Sequence, residues 1–593
     1  MSKTLSRKIL FMAAIWLSSF MTLSLTSCSD SSSDEPDGPG GNSDTGVISP
    51  SWTDDQPIEA AGQELTLTFN ATNRWNVINQ STWLTVSPTT GNSGNSSIKV
   101  TAEANTTGKE RSTTIVIRVT GAAKACTVKF TQEASSDQPV AGVNGWIRSY
   151  MESHYLWNEP IPALKINASL SAQNYLKAIL DGVDAADHLN REDGHWANGS
   201  REYYYSYIES SNGRSRSGDQ ATGSGVMFMS ATLLSGNNVG LIIEMVCPGS
   251  PAAQAGLKRS YLVSAIDGTN ITTGNYQSMA NKLVNGNINI TYHQPVFGSE
   301  GGVSLGSAKS LQLSSATFDN VSVYMSKVLQ LSSGKKVGYL LYDSFDYGYD
   351  DQLIQAFAGF KAQGITDLIV DLRYNGGGHV ISSLLMGTLI AGNTHKGKVY
   401  GRTTYNATRS ATTPAGEYKL GIASVPEMPT GYNKITEGLA SCVDLNTIYV
   451  ICTENTASAS ELVINGLKGL NVTVNLIGTT TNGKNCGMEG ISKAFGGITY
   501  EFYPITFYIE NAKGFKDYSN GFTPDVVCDD EEYYPGDFGT TDDALSALAL
   551  TWINSGNKPS VAAMRSRASS IRTMPLQLSA KRRIKGAMVL PHE

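Results

Sequence analysis

Charge is scarce in this chain of 593 residues. Charged side chains make up 16% of it and the formal net charge is −7. That excludes a general nucleic-acid binder, which needs a basic stripe along one face. Histidine is also rare. His154, His188, His195, His293, His379, His395 and His592 are scattered and form no metal-ligand spacing. Seven cysteines give neither a metal pattern nor a dense disulfide framework, although an oxidising compartment would allow a disulfide. Beyond the first residues no apolar run is long enough to span a bilayer. What remains is globular composition, 40% hydrophobic, in a chain too long for one core.

The first residues set the compartment. Lys3, Arg7 and Lys8 precede a largely apolar run, Ile9 to Leu25, and Leu25-Thr26-Ser27-Cys28 follows. This resembles a bacterial lipobox, with residues 1–27 removed as a signal peptide and Cys28 lipidated. It implies a chain held at the membrane of the cell envelope. Residues 28–49 are rich in Ser, Asp, Gly and Pro and are expected to be a flexible tether.

Residues 50–135 alternate apolar and polar in short runs, as in Leu65-Thr66-Leu67-Thr68-Phe69 and Thr114-Ile115-Val116-Ile117. Such alternation between Gly and Asn turns predicts an antiparallel β-sandwich. Trp83-Leu84-Thr85-Val86-Ser87-Pro88, with Gly91, Asn105, Arg111 and Thr131-Gln132, resembles the immunoglobulin-like BACON domains. That resemblance implies carbohydrate as a partner, with Trp75 and Trp83 as sugar platforms; core packing is the other reading of both tryptophans. Residues 140–215 carry helical spacing (Trp146, Tyr150, Tyr155; Leu170, Tyr175, Leu176, Ile179) and predict a small helical lead-in ending in a Tyr-rich loop, Tyr203 to Tyr207.

Residues 220–295 resemble a PDZ domain, on Val246-Cys247-Pro248-Gly249-Ser250-Pro251-Ala252-Ala253-Gln254-Ala255-Gly256-Leu257 and Ala265-Ile266-Asp267-Gly268. The resemblance makes Gly223, Ser224, Gly225, Val226, Met227 and Phe228 the loop and strand that hold a peptide C-terminus. Backbone N–H groups of such a loop cradle a carboxylate while the peptide adds an edge strand. Arg259-Ser260-Tyr261 stands where many PDZ domains have Gly-Asp.

From residue 330 to 550 strands and helices alternate, which predicts an α/β layer. Thr456-Ala457-Ser458-Ala459-Ser460-Glu461 follows one apolar strand and opens a helix. A serine there is exposed at the end of a sheet, where a helix N-terminus favours developing negative charge. Ser458 and Glu461 also have capping-box spacing, a purely local alternative. Asp371-Leu372-Arg373-Tyr374-Asn375-Gly376-Gly377-Gly378 follows another strand, and a glycine run lets backbone N–H groups face a substrate oxygen. Gly483-Lys484 follows a third.

With Val337-Gly338-Tyr339 and Gly521-Phe522-Thr523-Pro524-Asp525, these segments resemble the C-terminal processing, or tail-specific, serine peptidases. The resemblance implies a multidomain chain: an all-β immunoglobulin-like sandwich, a small helical segment, a PDZ domain and an α/β crotonase-like (ββα) peptidase core. It makes Ser458 the nucleophile, Lys484 the general base, and the N–H groups of Ala459 and Gly377 or Gly378 the oxyanion hole. It implies no cofactor and no metal, and an unfolded or C-terminally presented polypeptide as substrate. The lysine must be neutral near pH 7 to 8, which asks burial for roughly 3.5 to 5 kcal/mol. Ser460 is the neighbour most easily mistaken for the nucleophile, and His379 is the rival base, since related tricorn-type peptidases use a histidine. Many relatives carry a glutamine four residues after the lysine; here Met488 stands there and Glu489 follows, expected to be turned away. Two other functions fit the same segments: an idle peptidase fold that binds proteins or glycans, and a carbohydrate-handling protein led by the sandwich. The last residues, 560–593, are basic and aperiodic, and a mobile tail is expected.

Overall fold

A computed structural model describes residues 48–52, 55–60, 62–105, 110–122, 125–133, 141–186, 188–197, 200–211, 220–298, 302–423, 429–561, 573–574 and 589–590. The expected signal peptide, Cys28 and most of the basic tail lie outside the described residues. The chain divides into two compact units, residues 1–140 and 141–593.

The first unit is built from two sheets. One has the strand order Ile48–Pro50, Glu64–Ala71, Gly94–Ala102, Leu84–Ser87. The other runs Asp55–Ile58, Cys126–Gln132, Arg111–Val119, Trp75–Asn79, Thr90–Gly91. Alternate residues of each long strand face one shared core that includes Leu67, Phe69, Ile98, Val100, Ile115, Ile117, Val128 and Phe130. Trp75 belongs to that core, edge-on to Phe69 at 5.0 Å, with its indole N–H donated to Ser96 Oγ. Trp83 is half-buried under the Arg111 guanidinium, 4.4 Å from its centroid. Neither tryptophan offers the open ring face expected of a sugar platform.

The second unit has its main core around a six-stranded sheet: Val323–Gln330, Lys336–Tyr342, Asp367–Asp371, Thr447–Cys452, Thr473–Gly478, Val526–Val527. The first pair is antiparallel and the rest are parallel. The inner strands are largely apolar because both faces are covered. Helices Asp350–Gln363, Val380–His395 and Ala459–Gly469 pack on one face. Helix Ala544–Ser555 packs on the other, with Leu545, Leu548 and Ile553 against Tyr339, Ile369 and Ile451.

The lead-in is not a separate helical body. Its helices Gly142–His154 and Ala172–Ala185 are as expected, but strand Tyr207–Ser211 pairs with Ile498–Tyr503 of the last third of the chain. The region read as a PDZ domain is an antiparallel sheet, Lys309–Leu313, Ile288–His293, Leu262–Ile266, Val239–Val246, Val226–Leu233, with helices Pro251–Gln254 and Tyr276–Asn285. It continues past residue 295 because Lys309–Leu313 pairs with Ile288–His293, and Ala316–Asp319 pairs back onto Gln220–Gly223. All six described cysteines are free and buried, so no disulfide joins them.

Candidate active site

Three loops meet at the carboxyl ends of the parallel strands, where open α/β sheets place their ligands. They follow Asp371, Cys452 and Gly478, and they are the three segments singled out in the sequence.

Ser458 is the N-cap of helix Ala459–Gly469 and is fully buried. Its backbone is left-handed, φ 62° and ψ −115°, a conformation that costs an L-residue about 1–3 kcal/mol. Its Oγ makes no hydrogen bond. Oγ therefore neither caps the helix nor is bonded to Lys484 in this state. Ser460 is committed elsewhere: its hydroxyl donates to the Asn375 carbonyl at 2.9 Å.

The strain at Ser458 is held by Glu461. One carboxylate oxygen accepts the Ser458 and Lys484 N–H groups, each at 2.9 Å. The other accepts the Thr481 hydroxyl at 2.6 Å and the Gly483 N–H at 2.7 Å. Burial pushes this carboxyl up to about 7, against the four donors that favour the carboxylate. The sequence spacing marked Glu461 only as a capping residue. Its contacts with 481–484 bridge a helix and a strand, and no local pattern signals them.

Lys484 is buried, and burial lowers its ammonium to about 8; Cys486, Asp193 and Glu461 oppose the shift. The net shift corresponds to roughly 3 kcal/mol. Its Nζ lies 4.8 Å from the centre of the Tyr205 ring. Tyr205 is held there by its hydroxyl, which donates to Asn482 Oδ1 at 2.7 Å. Tyr205 is in the Tyr-rich loop of the sequence, but nothing local tied that loop to residue 484.

The glycine run packs against the serine. A Cβ on Gly377 would come within 2.7 Å of Ser458 Cβ, so only glycine fits there. Of the two glycines expected to supply an oxyanion donor, Gly377 donates its N–H to Asn375 Oδ1 at 2.8 Å. Gly378 and Ala459 make no such backbone bond. Asn375 organises this wall. Its side-chain amide donates to the Tyr342 carbonyl, and its own carbonyl accepts Ser460 Oγ and the Ala457 N–H. His379 turns the other way, Nδ1 3.1 Å from the Phe345 carbonyl and the ring edge-on to Tyr347.

Glu489 is turned from Lys484. It takes both guanidinium donors of Arg409 at 2.6 Å and the Tyr150 hydroxyl at 3.2 Å. Met488 beside it is fully buried.

Two N–H groups of the loop expected to cradle a carboxylate are already bonded, one to helix Tyr276–Asn285 and one within the loop. Ser224 donates its N–H to the Val284 carbonyl at 2.8 Å, and the Val226 N–H goes to Ser224 Oγ at 3.2 Å. The strand has register breaks on both sides of Phe228, and such irregularities re-aim a side chain. The Phe228 ring stacks on Tyr374 of the glycine-run segment, centroids 4.5 Å apart. Arg259, where the sequence departs from the PDZ pattern, joins the same contact. It reaches Tyr374 Oη at 3.0 Å, the Gly536 and Glu244 carbonyls at 2.8 Å and Asp543 at 3.3 Å. Among the described residues no group of three His, Cys, Asp or Glu side chains is placed to hold a metal.

The chain is similar to known proteins. Residues 336–528 match the model described as "Peptidase family S41", residues 142–207 the "Peptidase S41 N-terminal domain", and residues 46–133 the "Viral BACON domain". A curated relative, the chloroplastic C-terminal processing peptidase of Tetradesmus obliquus, is 23% identical over 147 residues, which is 24% of this chain and 32% of that protein. The match thus spans about a third of the relative's length. The solved structure of a putative S41 protease from Bacteroides fragilis aligns over 69% of this chain and 97% of its own, at 25% identity and a TM-score of 0.56. The photosystem II D1 C-terminal processing protease aligns over 68% of this chain and 96% of its own, at 17% identity and a TM-score of 0.37.

Proposed function

We propose that this chain, which carries peptidase family S41 domains behind a BACON domain, is a serine endopeptidase that cleaves unfolded or C-terminally presented polypeptides with Ser458 and Lys484. The observation that carries this reading is the pairing of a strained, unbonded serine with a buried lysine under one shared acceptor, Glu461.

Neutral Lys484 takes the proton of Ser458 Oγ as the oxygen attacks a peptide carbonyl. The carbonyl oxygen becomes an oxyanion, and the N–H groups of Ala459 and Gly378 receive it. Ala459 is the first residue of its helix, so the helix N-terminus adds favourable potential. The ammonium of Lys484 then returns its proton to the leaving amine. Water, deprotonated by the same lysine, hydrolyses the acyl-serine. No cofactor enters the scheme. Apo sites often lack the nucleophile–base bond and gain it when substrate excludes water, so the unbonded Oγ is compatible with the scheme.

The sheet domain at 220–319 is read as a PDZ domain that brings the substrate chain in by strand addition rather than by a preformed carboxylate cradle. The lipobox at Cys28 is read as an anchor to the cell envelope; release of the Cys28→Ala protein from membranes tests it.

The deciding experiment is digestion of an unfolded protein by the wild type and by Ser458→Ala, Lys484→Ala and Ser460→Ala forms. The first two should be inactive and the third should keep substantial activity. An active Ser458→Ala with an inactive Ser460→Ala would move the nucleophile two residues on. An inactive wild type that binds the unfolded protein would make the chain a binding protein.

A further inference from the structure

Two sheets of the second unit end in a strand that comes from the far C-terminus. Thr573–Met574 pairs antiparallel with Val226–Leu233, Thr573 opposite Thr232 and Met574 opposite Ala231. Val589–Leu590 pairs parallel with Cys486–Glu489, Val589 opposite Met488 and Leu590 opposite Glu489. Without these additions Val226–Leu233 and Cys486–Glu489 would be the edge strands of their sheets. An open edge is the place where an extended polypeptide adds itself.

Both edge strands are tied to the candidate active site, the first through Phe228, which stacks on Tyr374 of the glycine-run segment. The first is the strand that a PDZ domain offers to a peptide, and the tail meets it in the antiparallel sense, entering at the Leu233 end and heading for the 223–226 loop. The second begins two residues after Lys484. Val589–Leu590 also lies alongside helix Val380–His395, which starts directly after the glycine run and His379.

Charge supports the same occupant. Val561 to Glu593 holds Arg565, Arg567, Arg572, Lys581, Arg582, Arg583 and Lys585 against Glu593 alone. Thr573–Met574 lies beside Asp530–Glu532, within the acidic run Asp529-Asp530-Glu531-Glu532.

We propose that the basic C-terminal segment is an internal competitor of substrate, bound by strand addition at Ala231–Thr232 and at Met488–Glu489. This rests on the peptidase reading of the site. It implies that substrates enter as extended, neutral or basic segments on the same two edges, and that they must displace the tail.

The test uses the full chain with Thr573→Pro, Met574→Pro, Val589→Pro and Leu590→Pro together. Proline cannot donate to a ladder, so both strand additions are lost. None of the four lies in the catalytic machinery. A tail bound about nine-tenths of the time raises the apparent KM about tenfold. The proline variant should therefore digest unfolded protein with KM lowered about tenfold and kcat unchanged. A labelled synthetic peptide of residues 561–593 should bind the proline variant more tightly than the wild type, and unfolded protein should displace it.

Equal KM values in a variant with the wild-type melting temperature would overturn the proposal, as would a peptide that binds both chains equally or is not displaced. The binding arm uses no catalysis. A failure of the peptidase reading would show as absent cleavage with peptide binding and displacement intact, and so is distinguishable from a failure of the tail proposal.

Discussion

Ser458 and Lys484 share one acceptor: the same oxygen of Glu461 takes both backbone N–H groups at 2.9 Å. The nucleophile turn and the lysine loop are thereby fixed to one point, although the residues are 26 positions apart in the chain. In Glu461→Gln one of the two oxygens becomes an NH2 group facing donors. The turn at Ser458, strained at φ 62°, then has no reason to hold its angle. Misplacement by about 1 Å costs on the order of 100-fold in rate. The expected outcome is kcat lowered about 100-fold with KM little changed, measured on a peptide substrate with the fold checked by circular dichroism. A wild-type kcat would show that the clamp has no role in positioning.

The buried lysine sets the pH profile. With its ammonium lowered to about 8, Lys484 is charged and unable to accept a proton below that pH. kcat should rise through about pH 8 and level off above it. A plateau reaching down to pH 6 would point to a different base.

The same shift has a stability consequence. The unfolded lysine holds its proton to about pH 10.4, so between about 8 and 10.4 the unfolded chain binds more protons and stability rises with pH. At pH 7 the buried charge is a cost. Lys484→Met should therefore raise the melting temperature at pH 7, and raise it less at pH 10, while abolishing cleavage.

Much of this site was legible in the sequence because its parts are local. A serine at a strand-to-helix turn, a glycine run after a strand and a lysine after another each announce themselves within a few residues. Partners that depend on where one loop meets another were not legible. Asn375 reads as a turn residue until Gly377, Ala457 and Ser460 are seen around it. Tyr205 meets Lys484 across more than 270 residues of chain. Phe228 was placed with a peptide-holding strand by resemblance alone, and its stacking on Tyr374, more than 140 residues on, has no local signal. The fold was read more fully than the domain limits. Periodicity locates strands, but only pairing shows that Tyr207–Ser211 belongs to a sheet made with Ile498–Tyr503.

Arg259 ties the sheet domain to the glycine-run segment. Its buried guanidinium spans the Glu244 and Gly536 carbonyls, Tyr374 Oη and Asp543, and lies 4.2 Å from the centre of the Phe538 ring. A lysine has one charged nitrogen and cannot serve that fork. Arg259→Lys leaves Asp543 with Arg373 as its remaining strong partner and the Gly536 and Glu244 carbonyls short of a donor. A loss of roughly 2–4 kcal/mol is expected, read as a lower urea midpoint. An unchanged midpoint would show that the fork is dispensable.

Glu489 separates a stabilising carboxylate from a catalytic one. It stands five residues after Lys484, close enough in sequence to be taken for a third member of the catalytic group. Its oxygens are instead taken by Arg409, both at 2.6 Å, and by Tyr150. Those partners come from the short helix Ala407–Ser410 and from helix Gly142–His154, so the carboxylate joins the N-terminal lead-in to the sheet that follows the lysine. Glu489→Gln leaves a largely buried guanidinium facing one oxygen and one NH2 group. That should cost about 2 kcal/mol of stability. Below the melting temperature kcat should stay within about threefold of wild type, a difference of less than about 1 kcal/mol in the barrier. A severe fall in kcat in a folded Glu489→Gln protein would show that the carboxylate works on Lys484 after all, and that Ser458 and Lys484 do not act as a bare pair.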